Sequence, residues 1–185
     1  MSTLTIVLIV VGVLVLFVIA TFNSLIRLRN RKQEALSDID VQSKRRYDLI
    51  PNLIETVKGY AKQESSVLEN VTKARTAAMG MGGSQMEKAQ SEDMLTGALK
   101  SLFAVSEAYP DLKSNTNFLE LQRELSDTEN KMMASRRFFN ATVMDLNTKI
   151  ESFPSNVIAG MFGFKKDAFF AVGTEAEKQP VQVKF

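Results

Sequence analysis

Residues 4–22 read LTIVLIVVGVLVLFVIATF, 19 positions without a charged side chain. At a helical rise of about 1.5 Å per residue, such a run reaches across the roughly 30 Å hydrocarbon core of a bilayer. Leu4 and Phe22 therefore bound an expected transmembrane helix. A cleaved leader fits the residues less well: Met1-Ser2-Thr3 carries no basic side chain, and Ala20-Thr21-Phe22 is a poor cleavage site. On the far side of the run lie Arg27, Arg29, Arg31 and Lys32. The positive-inside rule assigns that flank to the cytoplasm, leaving the N-terminus outside a bacterial inner membrane.

Beyond the apolar run the pattern is helical throughout. Leu25, Leu28, Ala35 and Ile39 keep three- and four-residue steps with polar Lys32 among them, so the anchor is expected to run straight into a first soluble helix. The stretch Tyr47-Asp48-Leu49-Ile50-Pro51 predicts a break, with Asp48 as N-cap and Pro51 in the first turn of a second helix. That helix is expected to carry Leu53, Val57, Tyr60, Val67, Val71, Ala74 and Ala78 on one face, interrupted by Glu64. Gly80-Met81-Gly82-Gly83-Ser84 predicts a flexible loop, and no Gly-Lys-Ser/Thr follows to make it a phosphate loop. A third helix over about 86–108 presents Leu95, Leu99, Leu102 and Val105, and Tyr109-Pro110-Asp111 ends it.

The longest seam belongs to a fourth helix. Asn117 and Glu120 stand at capping-box spacing, and Phe118, Leu121, Leu125, Thr128, Met132, Ser135, Phe139, Val143, Leu146 and Ile150 follow before Pro154 stops the run. Small Thr128 and Ser135 read as close-packing points, and Met79, Met132, Met133 and Met144 as core or interface filler. The expected fold is all-α: a transmembrane helix continuing into an antiparallel four-helix bundle. The expected boundaries are an anchor at 1–23, a bundle at 24–152, an apolar Gly/Phe-rich contact segment at 153–172 and a polar tail at 173–185. Val181 to Phe185 alternates as a short edge strand would.

Composition removes most chemistry. The 185 residues include no Cys, His or Trp, which rules out a zinc site of the usual ligands, a thiol nucleophile and a Ser-His-Asp triad. No cofactor and no metal is implied. A formal charge of +2, from 23 basic and 21 acidic residues, is too weak a field to suggest nucleic acid as partner. Carboxylates such as Asp38 with Asp40, Glu64 with Glu69, and Asp127 with Glu129 read as solvated helix charge, since i, i+2 positions point apart. Lys44-Arg45-Arg46 and Arg136-Arg137 read as surface ion-pairing residues.

The segment after the bundle is the most suggestive. Val157, Ile158, Met161, Phe162, Phe164, Phe169 and Phe170 crowd together, broken by Gly160 and Gly163 and flanked by Lys165 and Lys166. So much apolar surface is expected to be covered: by the end of the bundle, by a membrane surface with the lysines at lipid headgroups, or by a second subunit. The glycines suit close approach of a neighbouring backbone.

Several stretches together resemble the LemA family. They are Asn23-Ser24-Leu25 with the arginines after it, RRYDLIPNLIETVKGYAKQE at 45–64, Glu107-Ala108-Tyr109-Pro110-Asp111-Leu112, ELSDTENKMMASRRFFN at 124–140 and FPSNVIAGMFGFKKDAFF at 153–170. The resemblance implies an anchored helical bundle and no particular reaction; specialised relatives act in building magnetosome membranes. The expected function is a non-enzymatic scaffold held to membrane lipid by one span, which forms homo-oligomers or recruits another membrane protein. The alternatives are an adaptor or regulator of a membrane protease or signalling protein, and an enzyme using carboxylate, Lys and Tyr chemistry.

Overall fold

The structure is a computed structural model and describes residues 2–80 and 85–170. Of the loop expected at 80–84, Gly80 is the last residue of a helix; the remainder, the polar tail and the edge strand at 181–185 lie outside the described residues. Among the described residues six helices follow in order: α1 Thr3–Tyr60, α2 Ser65–Gly80, α3 Gln85–Ser106, α4 Pro110–Lys113, α5 Thr116–Glu151 and α6 Ser155–Met161. There is no strand among the described residues. The all-α expectation holds, with one apolar N-terminal helix of the length a membrane requires.

By compactness the chain divides into two units. The first comprises residues 2–39 and 135–169, the second residues 40–134 with Phe170. α1 and α5 each contribute to both.

In the second unit the expected break at residues 47–51 does not occur. α1 passes through Pro51 and ends at Tyr60. A proline inside a helix has no N–H for the carbonyl four residues before it, here that of Tyr47. Arg75 of α2 supplies the missing donor, its Nε lying 2.8 Å from the Tyr47 carbonyl oxygen. A tertiary contact thus does the work of a backbone hydrogen bond, and no pattern local to 47–51 could reveal it. The chain breaks at 61–64 instead, where the polar Glu64 interrupts the seam, and α2 starts at Ser65. Tyr47 meets Arg75 and Ala78, so α2 runs back along the last part of α1.

The core of this unit joins Ile50, Leu53 and Val57 of α1 to Leu68 and Val71 of α2. Leu95, Leu99 and Leu102 of α3, Leu112 of α4, and Phe118 and Leu125 of α5 complete it. The Phe103 and Phe118 rings meet edge to face at 6.2 Å, the arrangement that aromatic quadrupoles favour. α5 is capped two residues earlier than the capping-box spacing suggests: the Asn115 side-chain oxygen accepts from the Phe118 N–H at 3.0 Å. Along α5, Phe118, Leu125, Thr128, Met132, Phe139, Val143 and Leu146 are buried. Three of the four methionines expected as filler are exposed, namely Met79, Met133 and Met144, and only Met132 is buried. Met132 continues the stripe through Leu125 and Thr128, whereas Met133 is one position further round the helix.

In the first unit a smaller core of Leu25, Leu146 and Ala159 is flanked by Leu28, Ile150 and Phe164. Ala35 and Ile39 are buried and Leu28 and Lys32 half-buried, so the three- and four-residue steps after the anchor do mark an inward face.

Candidate functional site

The apolar start of α1 is exposed from Thr3 to Ala20, and no residue of its most apolar 18-residue window is buried. A core helix of a soluble protein would be covered by the rest of its own chain. This one offers Leu4 to Val18 to whatever surrounds it, as a membrane-spanning helix must.

Of the basic residues that follow, Arg27, Arg29 and Arg31 are exposed. The Arg29 guanidinium lies 5.8 Å from the centre of the Phe164 ring and that of Arg31 5.3 Å from the Phe138 ring, both within cation–π range. Lys32 is ion-paired with Asp167 at 2.6 Å. The cluster is thus partly tied to aromatic and acidic side chains of its own unit.

Two of those partners, Phe164 and Asp167, belong to the apolar segment predicted from the sequence. Its geometry begins at the end of α5, where the Ser155 hydroxyl lies 2.6 Å from the Lys149 carbonyl oxygen and 2.8 Å from that of Ser152. It thereby satisfies carbonyls that a helix end leaves without partners. α6 then closes in a Schellman motif: the Phe164 N–H reaches the Ala159 carbonyl at 2.9 Å and the Gly163 N–H that of Gly160 at 3.2 Å. The motif needs a left-handed residue, and Gly163 has φ +71°. A Cβ at Gly160 or Gly163 would meet nothing within 4 Å, so the glycines do not serve close approach within this chain.

Past the motif, Asn147 and Asp167 exchange two hydrogen bonds of 2.9 Å through the Asp167 backbone. Lys166 pairs with Glu151 at 2.7 Å. The segment is fixed, and it has two faces. Ile158, Ala159 and Ser155 are buried and Phe164 half-buried; Val157, Met161, Phe162, Phe169, Lys165 and Lys166 are exposed, with Phe153 the most exposed at 82%. Phe170 is buried. The Phe22 ring, at the end of the apolar run, lies 4.7 Å from that of Phe162 and 6.0 Å from that of Phe164.

The second unit holds a polar cluster that sequence reasoning missed. Arg46, expected at the surface, is 2% exposed. Its guanidinium bonds Glu92 at 3.1 Å and Thr96 at 2.8 Å on α3, and pairs with Glu129 at 2.8 Å on α5. The Tyr47 hydroxyl donates to the other Glu92 oxygen. Burial, and then the adjacent Glu92 carboxylate, push the Tyr47 phenol well above its usual range. One arginine thus joins three helices. With Arg46 and Glu92 enclosed, the cluster can set helix register. A helix position on the buried side of Tyr47 and Ile50, rather than the run of three basic residues, was the available signal for it.

The other charges have ordinary roles. Lys44 pairs with Asp48, Arg45 with Glu124, Glu69 with Lys73, Asp127 with Lys131, and Lys88 with Asp40. Glu64 accepts from the Tyr109 hydroxyl at 3.3 Å. Of the carboxylates considered in pairs, Asp40, Glu64, Glu69, Asp127 and Glu129 each have a separate partner, and no two of these five share one.

The sequence compares well with known proteins over most of its length. The LemA family model matches residues 35–185. Protein LemA of Metamycoplasma hominis is 28% identical over 163 residues, 86% of this chain and 73% of that protein. Magnetosome protein MamQ 2 of Paramagnetospirillum magneticum is 26% identical over 174 residues, covering 80% of this chain and 64% of its own length. MamQ of Magnetospirillum gryphiswaldense is 25% identical with the same coverage, so the chain spans just under two thirds of these magnetosome relatives. The match takes in the Arg46 cluster and the α6 segment alike, and on it the chain belongs to the LemA family.

Proposed function

We propose that this LemA-family chain is a non-enzymatic, membrane-anchored scaffold of the bacterial cytoplasmic membrane that self-associates or recruits protein partners there. The carrying observation is the continuity of α1, which passes from an exposed apolar run into a helical body without a break. Polar groups inside that body are spent on holding helices together, as Arg46, Glu92 and Tyr47 are. Outward-facing Met79, Met86, Met94 and Met133 of the second unit are the adaptable apolar side chains that suit protein contacts. The relatives named magnetosome proteins lend support to a role as one component of a larger assembly.

Mass measurement of the full chain in mild detergent tests self-association. Assemblies larger than one chain are expected, and a strictly monomeric species across micromolar concentrations would remove that part of the proposal. Crosslinking in native membranes then identifies what else is attached. The basic flank at Arg27, Arg29, Arg31 and Lys32 orients residues 24–185 toward the cytoplasm. Protease added to intact spheroplasts should leave the domain whole; digestion would reverse the orientation.

A further inference from the structure

We propose that α6, with Phe153 before it and Phe162 after it, lies in the membrane interface beside the transmembrane segment. The chain then holds one leaflet twice, through its span and through a short apolar wedge. This rests on α1 crossing a bilayer and not on the scaffold reading.

Position is the first reason. The Phe162 ring stacks beside Phe22, the last residue of the apolar run. Phe153 and Pro154 line a depression together with Phe17 and Thr21, which lie inside that run, and with the polar Asp145, Thr148, Lys149 and Ser152, so apolar and polar surface meet there. From Phe22 back to Phe17 a helix rises about 7.5 Å. Interfacial helices bury their apolar faces by about 5–10 Å, the same depth.

The second reason is the division of faces. Ser155, Ile158 and Ala159 are turned inward, while Phe153, Val157 and Met161 recur at four-residue steps on the outside, exposed by 82%, 55% and 76%. The Ser155 hydroxyl, the Schellman motif and the Asn147–Asp167 pair hold them there. An outward stripe fixed in this way requires a cover.

Lipid rather than a second copy is the cover because of what lies alongside. Phe17 and Val18 are 40% and 37% exposed on the span itself, so hydrocarbon must reach them. A membrane interface that reaches Phe17 also reaches Phe153 and Pro154 in the same depression, with Asp145 and Lys149 at its polar level. Exposed Lys165 and Lys166 follow α6, and Arg27 and Arg29 follow Phe22. Cations just beyond an apolar wedge meet lipid phosphates.

The chain has no cysteine, so one introduced cysteine is a unique labelling point. Full-length Val157→Cys and Met161→Cys, spin-labelled in phosphatidylcholine and phosphatidylglycerol vesicles, are compared with Val18→Cys in the span and Ser126→Cys on exposed α5. The collision of each label with oxygen and with a water-soluble nickel chelate is measured. At 157 and 161, oxygen contact should exceed nickel contact several-fold, as at 18, with the reverse at 126. Nickel contact equal to that at 126 at both positions would overturn the proposal. So would labels shielded from both reagents whose spectra broaden as the protein-to-lipid ratio rises, because a second copy would then be the cover.

Discussion

The two units solve different solvent problems with the same kind of element. In the second, five helices bring a continuous set of Leu, Ile, Val and Phe side chains together and enclose an arginine with its carboxylates. In the first, Leu25, Ala35, Ile39, Phe139, Val143, Leu146, Ile158 and Ala159 are buried, while the span, Phe153, Val157 and Met161 face outward. A unit surrounded by water buries apolar area at about 25 cal/mol per Å². An apolar surface that meets hydrocarbon gains nothing by being hidden from it, and the segment after α5 is held by specific pairs such as Asn147 with Asp167.

The largest break in this contrast is expected at Arg46. Arg46→Ala leaves the Glu92 carboxylate, itself 4% exposed, without its cation, and loss of one member of a buried pair costs about 3–5 kcal/mol. Chemical unfolding of the full chain in mild detergent should show that loss. Arg46→Met with Glu92→Leu should recover most of it, since apolar replacements of a whole buried pair are often neutral. A small effect of Arg46→Ala alone would mean that water enters the cluster.

Next in size is a pair of neighbours on α6. Ile158→Ala removes a side chain that is 5% exposed and should cost about 2–4 kcal/mol, in the range of large-to-small core substitutions. Val157→Ala, at 55% exposure, should leave unfolding in detergent nearly unchanged. Equal effects at both would show that the face division described for α6 is wrong.

Arg75→Ala is expected to cost about 1–3 kcal/mol, the penalty for a polar group left without a partner, because the Tyr47 carbonyl then has neither Arg75 nor a backbone donor from Pro51. Pro51→Ala restores an N–H at that position. In the Pro51→Ala background, Arg75→Ala should therefore cost distinctly less, and a double-mutant cycle measures the difference. Full additivity would separate Arg75 from the passage of α1 through the proline.

This case shows where the sequence is legible and where it stops. The span, the all-α class and the α5 seam follow from composition and periodicity, which act along one chain segment. The passage through Pro51 does not, because the donor to the Tyr47 carbonyl is 28 residues from Tyr47, in Arg75. Nor does the burial of Arg46, since its partners Glu92 and Glu129 are on other helices and Lys44-Arg45-Arg46 reads locally as solvated charge. At the candidate site the crowding of apolar residues over 153–170 is plain in the sequence, but which of them turn outward depends on the Schellman motif at Gly163 and on Ser155 capping α5. Asn117 as cap was a near miss of the same origin: Asn115, two residues earlier, has the geometry. Asn115→Ala should cost about 1 kcal/mol, as N-cap losses do, with the effect visible in thermal unfolding.

The smallest effect is expected at the exposed pairs, and acid is the way to see it. The Lys131 hydrogen bond holds the Asp127 carboxyl below its ordinary value of 3.8, against the opposing effect of desolvation and with lesser help from the charges of Lys131 and Arg45. A carboxyl whose folded pKa is depressed stabilises the fold fully above its unfolded pKa, and that contribution disappears as pH falls through the folded value. The window for Asp127 is therefore below about pH 4, with no effect of pH on this pair near neutrality. Both side chains are about half exposed, at 48% and 50%, so water and salt screen the attraction and exposed pairs of this kind contribute little. Asp127→Asn should slightly flatten the acid limb of a stability-against-pH curve, and the difference from the unmodified chain should shrink in ~1 M salt, where the screening length falls to about 3 Å. An acid limb that steepens on Asp127→Asn, or a difference that grows with salt, would show that the carboxylate stabilises the fold by something other than its exposed pairing with Lys131.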